Sequence, residues 1–452
     1  MVEVAKENDV MLLFDSFNLY SQDLYHSFQT AGYEYPAVVI EDDGFLPDGI
    51  MSVFGYFLGD YKDSQTCPGR PLFFNEVTVP AYWEITSSNQ YGQIMNKSKE
   101  RGRIFYTEPT HLRLVKEVDW LSEKGTVLIA EQYNKYGAMY ARTLFNGEGH
   151  RVTKTYFSAT GQEVIVENFS TGDIILNSGK EILVFRTKTD FVLHFIKVAQ
   201  FKQTRMYFNS LSTPFFVSQR LKSERKRDVL FWQEPVRDSI PGNMQMILNG
   251  QATRTEQIMV QMQDSYDRLL ELGADQKMVS KLGFIYDFVK ENKRKKEALI
   301  CTNSDQIAHL EDLVKALPEL HFHVAAITEM SSKLMGLGTY DNVSLYPGVK
   351  ENALDKLFMK CDYYLDINYE SEIVSAVRKA FLHNQLIFAF RETQHNKDYV
   401  AKEHIFMAAE HEKLAAALKE VLTSRKALEE GLILQHQAAL SESPESYQSV
   451  GI

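Results

Sequence analysis

Three polar stretches hold residues whose types suit the binding of a small polar ligand. They occupy positions 302–306, 328–333 and 366–370, and each follows an apolar run that is typical of a buried strand. Ligands of α/β proteins bind outside the carboxyl ends of strands, so three such loops converging on one crevice favour a sugar, a hydroxyl-rich peptide or a nucleotide. The same residue types also cap helices, which is the alternative interpretation for any single residue.

The order of apolar runs and turn signals predicts the elements that position these loops. The chain begins with a strand at 11–15, a helix at 18–30 and a strand at 37–40, a β-α-β unit that implies a parallel sheet. Short β-branched or aromatic runs separated by Gly-containing turns follow to about residue 186 and predict an inserted antiparallel sheet. Strands and helices then alternate again, including an apolar helical pattern at 254–272.

These patterns divide the chain into five segments of α/β class. We predict a first Rossmann-like domain at 1–71 and 187–289, an inserted β-sheet domain at 72–186, a second Rossmann-like domain at 290–424, and a C-terminal helix and tail at 425–452. The Lys/Arg-rich stretch 290–296 is the predicted interdomain hinge. Two such domains facing each other would form a cleft.

Composition limits the classes of partner. The net charge of −11 argues against nucleic-acid binding, which needs clustered cations. No stretch approaches the ~18 uncharged apolar residues of a membrane span, and the N-terminus lacks the cations and apolar core of a signal peptide. We therefore expect a cytoplasmic protein. Basic runs at 220–227 and 290–296 leave open a peripheral contact with the inner membrane face or an acidic partner.

A family resemblance rests on several long strings. They are Thr302-Asn303-Ser304-Asp305-Gln306-Ile307, Thr328-Glu329-Met330-Ser331, the stretch 340–348, Tyr364-Leu365-Asp366-Ile367-Asn368, and Phe45-Leu46-Pro47-Asp48 with 232–243 in the first domain. Together they closely resemble the glycosyltransferase-stabilising accessory subunit of the accessory Sec system of Gram-positive bacteria.

That resemblance implies a glycosyltransferase-B-like architecture and a role. It implies pairing with a catalytic glycosyltransferase, as a two-plus-two complex, which attaches N-acetylglucosamine from its UDP donor to serine and threonine of serine-rich repeat adhesins before export. The accessory subunit would hold the acceptor. We therefore predict no cofactor, no metal, and acceptor contacts from a set of nine residues: Asn303, Ser304, Asp305, Thr328, Glu329, Asp366, Asn368, Glu370 and His395.

Three features argue against catalysis by this chain alone. A departing UDP needs nearby Arg or Lys, but the loop after the first strand of the second domain, 302–306, has no cation. Retaining transferases of this type carry two carboxylates eight residues apart, whereas here Glu370 is followed at that spacing by Arg378. The loop after Phe14 has no glycine to let backbone amides approach phosphate.

Two alternatives remain open at the level of sequence. One is an active retaining transferase that recruits Arg378, Arg391 or His395 for the phosphates. The other is a pure scaffold whose inserted sheet pairs with a partner and whose cleft is vestigial. Metal binding by His321 and His323 lacks further ligands of suitable spacing.

Overall fold

The computed structural model describes residues 10–61, 68–201, 205–221 and 228–449. Contacts divide the chain into two compact units: unit 1 comprises Met1–Met259 with Leu269–Ser280, and unit 2 comprises Val260–Arg268 with Lys281–Ile452. The predicted domain boundaries, including a hinge at 290–296, stay predictions beside this coarser division.

Unit 1 begins with the predicted β-α-β unit. The elements are β1 (Val10–Ser16), α1 (Leu19–Thr30), β2 (Ala37–Glu41), β3 (Met51–Ser52) and α2 (Gly55–Leu58). Asn18 caps α1 by accepting a hydrogen bond from the Ser21 amide at 3.0 Å. β2 lies parallel to β1, as the β-α-β pattern requires.

A ten-stranded antiparallel sheet follows in the chain. Its strands are β4 (Glu84–Ser87), β5 (Tyr91–Asn96), β6 (Lys99–Tyr106), β7 (Val115–Leu121), β8 (Val127–Tyr133), β9 (Met139–Phe145), β10 (Arg151–Phe157), β11 (Glu163–Asn168), β12 (Ile174–Asn177) and β13 (Ile182–Phe185). They are ordered as a meander from β13 to β4. Three of the predicted turn glycines, Gly161, Gly172 and Gly179, adopt positive φ between strands, which confirms those hairpins.

The chain then returns to the first sheet. The elements are α3 (Lys188–Val198), β14 (Arg205–Phe208), α4 (Thr213–Arg220), β15 (Asp228–Trp232), α5 (Gly242–Leu248), β16 (Thr255–Val260), α6 (Gln263–Glu271) and β17 (Val279–Lys281). The sheet has the order β17-β16-β15-β14-β1-β2-β3. The prediction of a single helix at 254–272 is wrong: Ile258, Met259 and Val260 are all buried in β16, and the helix begins only at Gln263.

Unit 2 contains a six-stranded parallel sheet. Its elements are β18 (Glu297–Thr302), α7 (Leu310–Ala316), β19 (His321–Ala326), α8 (Ser332–Met335), β20 (Val343–Tyr346), α9 (Glu351–Lys360), β21 (Tyr363–Asp366), α10 (Ala376–Leu382), β22 (Leu386–Phe390), β23 (Ile405–Phe406), α11 (His411–Thr423), α12 (Arg425–Ala438) and α13 (Pro444–Ser449). The strand order is β20-β19-β18-β21-β22-β23. Two apolar clusters, one containing Leu313 and Phe322 and the other Phe358 and Phe381, are buried among these elements.

Among the described residues, no helix has both the length and the apolar character needed to cross a membrane.

Candidate acceptor site

The carboxyl edge of the unit 2 sheet brings the three predicted loops together. β19, β18 and β21 are adjacent and parallel, so their carboxyl ends lie at one edge. Hydrogen bonds join the first two loops: Ser331 Oγ donates to Asp305 Oδ2 at 3.0 Å, and Thr328 Oγ1 donates to the Asn303 carbonyl at 3.4 Å. We call residues 302–306, 328–331, 366–370 and 393–396 the edge site.

The buried side chain of Asn368 joins the first and third loops. Its Oδ1 lies 2.8 Å from the Thr302 hydroxyl, and its Nδ2 donates to the Glu370 carbonyl at 3.0 Å. Asn368 is 2% exposed and Thr302 is fully buried. An antiparallel bridge between Ile307 and Asn368 adds backbone support. These bonds fix the loops before any ligand arrives, which reduces the entropy cost of binding.

His395 connects the edge site to the buried end of β21. Its Nδ1 lies 2.5 Å from Asp366 Oδ1, its backbone amide donates to Asp366 Oδ2 at 2.7 Å, and its Nε2 lies 2.5 Å from the Glu370 carbonyl. A carbonyl and a carboxylate only accept, so both ring nitrogens donate and the ring is an imidazolium. The hydrogen bond to Asp366 raises the pKa of His395 to about 9.

The His395 pair predicts a pH dependence of stability. Its folded-state pKa is raised above the ordinary 6.5, so its contribution is complete below pH 6.5 and is lost as the pH rises through about 9. We expect the difference in unfolding free energy between the natural chain and His395→Asn to be largest near pH 6 and to shrink by pH 9.5. Urea titrations followed by circular dichroism at both pH values measure it. A difference that is constant with pH would contradict the imidazolium assignment.

Apart from the His395 imidazolium, the edge-site side chains that reach solvent are neutral or acidic. Thr328, Glu329 and Glu370 are exposed, and Asn303, Ser304 and Asp305 are half-buried. The Asn303 Oδ1 atom is buried and has no hydrogen-bond partner among the described residues. A buried hydrogen-bond acceptor without a donor is unfavourable unless a water or a ligand supplies the donor. All nine predicted residues therefore lie at the edge site, and direct contact with an acceptor stays a prediction for each.

Arg378 and Glu372 serve the structure of α10 and its neighbours. Arg378 Nη1 donates to the Tyr399 hydroxyl at 2.5 Å, and its guanidinium lies 5.7 Å from the Tyr399 ring centroid and 5.9 Å from that of Tyr286. Glu372 accepts from the Val377 amide at 2.8 Å, and burial raises its pKa. The cation that an active transferase would direct at phosphate is thus hydrogen-bonded to Tyr399 and lies near two aromatic rings.

A group of His309, Asp312 and His411 lies beside the edge site. His309 Nδ1 is 2.8 Å from Asp312 Oδ2, and the two imidazoles stack with centroids 4.1 Å apart and planes 5° from parallel. A metal ion bound by histidine lies near the plane of each ring. Two parallel rings stacked face to face share no such position, so this arrangement does not suit one shared ion.

Unit 1 has a polar carboxyl edge of its own that sequence reasoning missed. Asn209 Nδ2 donates to Ser21 Oγ at 2.9 Å and to Gln233 Oε1 at 3.2 Å, while Asn209 Oδ1 accepts from the Asp15 amide at 2.9 Å. Burial is the main cause of the raised pKa of Asp15. The available signal was a polar pair directly after each apolar run: Asp15-Ser16, Asn209-Ser210 and Gln233-Glu234.

A cavity of about 230 Å³ also lies in unit 1, near the end of β2. Aromatic side chains form much of its wall: Phe54, Tyr61, Tyr136, Tyr140 and Tyr156. Pockets for drug-sized ligands measure about 300–1,000 Å³. The cavity is therefore smaller than a typical pocket for a drug-sized ligand.

Family models match most of the chain in four consecutive parts. They are the GtfB N-terminal domain at 11–57, the GtfB middle domain at 83–186, the GtfB third domain at 188–272 and the GftB/GlyA-F C-terminal domain at 298–437. The middle domain coincides with the antiparallel sheet.

Curated relatives match over nearly their whole length. The chain is 42% identical over 439 residues to a Streptococcus gordonii protein, covering 96% of this chain and 97% of the relative. It is 41% identical to a Streptococcus agalactiae protein, covering 98% of each. Both are named UDP-N-acetylglucosamine--peptide N-acetylglucosaminyltransferase stabilizing protein GtfB.

Comparison with solved structures defines the class of fold. The pneumococcal O-GlcNAc transferase GtfA in complex with UDP and GlcNAc matches with a TM-score of 0.52 at 11% identity, covering 98% of each chain, which shows that the fold is of the glycosyltransferase type. A crystal structure of a GtfA/B complex bound to UDP and GlcNAc matches far better, with a TM-score of 0.91 at 41% identity over 97% of this chain and 98% of that chain. The chain belongs to the GtfB family of glycosyltransferase-stabilising proteins. Its relatives' names confirm the predicted accessory, non-catalytic role.

Proposed function

We propose that this chain stabilises a catalytic glycosyltransferase and holds the polypeptide acceptor during O-linked transfer of N-acetylglucosamine from UDP-N-acetylglucosamine. The acceptor is a serine-rich repeat adhesin, and the complex contains two copies of each subunit. The chain's two units adopt the glycosyltransferase-B-like architecture, with the antiparallel sheet as an insertion in the first Rossmann-like domain. The curated relatives' names and the GtfA/B complex support the partner.

The chemistry of the edge site carries the acceptor assignment. Hydroxyl and carboxylate oxygens of Ser304, Asp305, Thr328 and Glu329 line loops that are already hydrogen-bonded to one another. Such groups pair with the hydroxyls and amides of a serine-rich peptide. Because most are neutral or acidic, they also disfavour a diphosphate.

The same site lacks the charge that a departing UDP requires. Loops 303–309, 327–331 and 367–375 contain no Lys or Arg, and the lysine that ends the predicted stretch 328–333, Lys333, lies in α8. Both nitrogens of the His395 imidazolium are already engaged by Asp366 and Glu370. Phosphoryl leaving groups need cations free to approach them. Transfer is therefore the work of the partner subunit.

A cytoplasmic location with peripheral contact to the inner membrane face completes the proposal. Lys293, Arg294, Lys295 and Lys296 are exposed, and buried Asp362 holds their loop by accepting from the Lys293 and Lys295 amides at 2.9 and 2.8 Å. Anionic headgroups attract such clusters. Of the other basic run, residues 222–227 lie outside the described residues. Co-sedimentation with anionic vesicles tests the contact, and recovery of all protein in the supernatant would exclude it.

Acceptor binding and transfer are tested together. We expect no transfer to a serine-rich peptide by the purified chain alone and transfer by the complex. Thr328→Val removes one exposed hydroxyl and should weaken peptide binding about 2- to 10-fold, because a net hydrogen bond contributes about 0.5–1.5 kcal/mol. Adding Glu329→Gln to Thr328→Val should bring the loss of peptide affinity to about tenfold or more. Fluorescence anisotropy with labelled peptide measures both.

Thr423→Val is the matched control, because Thr423 is exposed in α11 and its hydroxyl bonds only to helix carbonyls. It should bind peptide like the natural chain. Robust transfer by the chain alone would overturn the non-catalytic assignment. Unchanged affinity in the Thr328/Glu329 variant would move the acceptor away from this edge.

A further inference from the structure

Tyr82 is the most exposed of the large apolar side chains in the described residues, at 99%. It occupies the third position of a tight turn in which the Trp83 amide donates to the Pro80 carbonyl at 3.1 Å. Its φ is +67°, in the left-handed region. Glycine or asparagine usually fills that position, because a Cβ is strained there.

The exposed ring of Tyr82 adds no buried apolar surface to the part of the chain that the structure describes. A glycine would relieve the backbone strain, and removing the ring would reduce the apolar surface in water. Other residues with positive φ in the same sheet domain, such as Lys97 and Arg113, carry polar side chains that suit an exposed turn. Strained residues persist where their conformation is used. A contact with another molecule therefore explains a tyrosine at this position better than a contact within the chain.

The turn is held rigidly in place from both sides. Val77 is buried, and Val79 and Trp83 pack against the apolar cluster that contains Ile94 and Ile104. The Arg101 guanidinium lies 5.7 Å from the Trp83 ring centroid. Tyr82 cannot swing inward while its neighbours keep these contacts, so its ring is presented to solvent in a fixed position.

The turn also leads directly into the edge of the antiparallel sheet. β4 begins two residues later and is the outermost strand, so one of its sides has no strand neighbour among the described residues. On the next two strands, Tyr91 and Phe105 are register partners and are 41% and 38% exposed. Exposed strand edges attract other chains unless they are covered. The register places Tyr91 and Phe105 at the other end of these strands from Tyr82, because Glu84 pairs with Met95 and Ser87 with Gly92, so Tyr82 is the exposed aromatic ring at the start of β4.

We propose that Tyr82 is an anchor residue of the interface with the catalytic glycosyltransferase subunit. Its ring is buried against that subunit in the complex. Tyrosine is enriched among residues that dominate binding energy, since it combines a rigid apolar ring with a polar tip. This inference rests on the proposed function, which supplies the partner.

The test uses two glycine substitutions with opposite expectations for binding. Tyr82→Gly relieves the strained turn and removes the ring, whereas Lys97→Gly relieves the same backbone conformation at an exposed polar residue. We expect both variants of the full chain to unfold at the natural temperature or above it. Tyr82→Gly should raise the Kd for the purified glycosyltransferase about 30-fold, as for a hot-spot residue, and Lys97→Gly should leave it unchanged.

Tyr82→Asn provides a second variant, because asparagine tolerates the same φ. It should weaken binding as Tyr82→Gly does. Affinity within threefold of the natural chain for both Tyr82 variants overturns the anchor, as does a clear loss of stability in Tyr82→Gly, which would show that the ring serves the chain itself. If the natural chain fails to bind the glycosyltransferase, the proposed function falls instead, so the two failures are distinguishable.

Discussion

Replacing Arg254 with methionine should lower the unfolding free energy of unit 1 by about 3–5 kcal/mol, the cost of breaking a buried ion pair. Arg254 is 3% exposed, and its partner Asp228 is fully buried at the start of β15. Arg254 Nε and Nη2 donate to the two carboxylate oxygens at 2.8 Å each. The Met206 amide and the Ser218 hydroxyl donate to the same carboxylate at 2.8 and 2.7 Å.

The large cost follows from what the substitution leaves behind. Without the guanidinium, the Asp228 carboxylate stays buried with two neutral donors and no countercharge. Combining Arg254→Met with Asp228→Asn should therefore cost less than the sum of the two single changes, because the second change removes the unpaired charge. The pair joins the beginning of β15 to the residue before β16.

The tryptophans make the measurement specific to unit 1. The chain has three, Trp83, Trp120 and Trp232, and all belong to unit 1. Urea unfolding followed by tryptophan fluorescence reports that unit alone. Arg220→Met is the control: Arg220 is half-exposed and pairs with Asp190 at the surface, so it should cost at most about 1 kcal/mol. Equal effects of the two arginine substitutions would refute the buried-pair argument.

Gly283→Ala is expected to detach the C-terminal segment from unit 2. A Cβ at Gly283 would lie 1.8 Å from the Leu440 carbonyl oxygen and 2.3 Å from the Leu440 Cβ. The two segments are joined by backbone hydrogen bonds, from Phe284 to Leu440 at 2.9 Å and from Glu442 to Phe284 at 2.8 Å. Backbone held this way cannot yield as a flexible side chain does, so we expect a loss of about 3 kcal/mol, the upper end of overpacking effects.

The contact also fixes the last helix. Tyr447 in α13 is fully buried and donates its hydroxyl to the Gly283 carbonyl at 2.7 Å. In Gly283→Ala, limited proteolysis should therefore remove the end of the chain early, and circular dichroism should show a lower melting temperature. Tryptophan fluorescence should change little, since no tryptophan belongs to unit 2.

Gly336→Ala is the control for the glycine substitution. A Cβ at Gly336 meets nothing within 4 Å, and its φ of −61° suits alanine. We expect no loss and a gain of up to about 1 kcal/mol from the less flexible unfolded chain. If Gly283→Ala and this control had the same melting temperature, the close approach of the chain at Gly283 to the chain at Leu440 would not exist in solution.

Charges at the edge site are used to hold loops rather than to stabilise a leaving group. Asp366 is 1% exposed and binds both the backbone and the ring of His395, and Arg378, which follows the edge site in α10, is hydrogen-bonded to Tyr399. An enzyme of this fold would direct such cations at phosphate. Their use within the protein agrees with the stabilising role of the family.

Sequence alone predicted the alternation of strands and helices in unit 2, although not the short edge strand β23, and the presence of the antiparallel sheet, although not each of its strands. Buried parallel strands are continuous apolar runs, so the runs at 322–327 and 343–346 predict β19 and β20 nearly to the residue. Turn glycines at regular spacing identified the hairpins of the inserted sheet. The same reasoning failed at 254–272, because a short buried strand followed by a helix imitates one long helical pattern. Only pairing with the neighbouring strand decides that case.

The residues of the edge site could likewise be selected from the chain, because polar residues that follow parallel strands must collect at one edge. The protonation states of these residues and the hydrogen bonds between them could not be predicted from the sequence. His395 and Asp366 are 29 residues apart, and Ser21 and Asn209 are 188 apart. Whether such groups meet depends on strand order and on loops of variable path, and a pKa depends on distances and burial that arise only when the chain has folded.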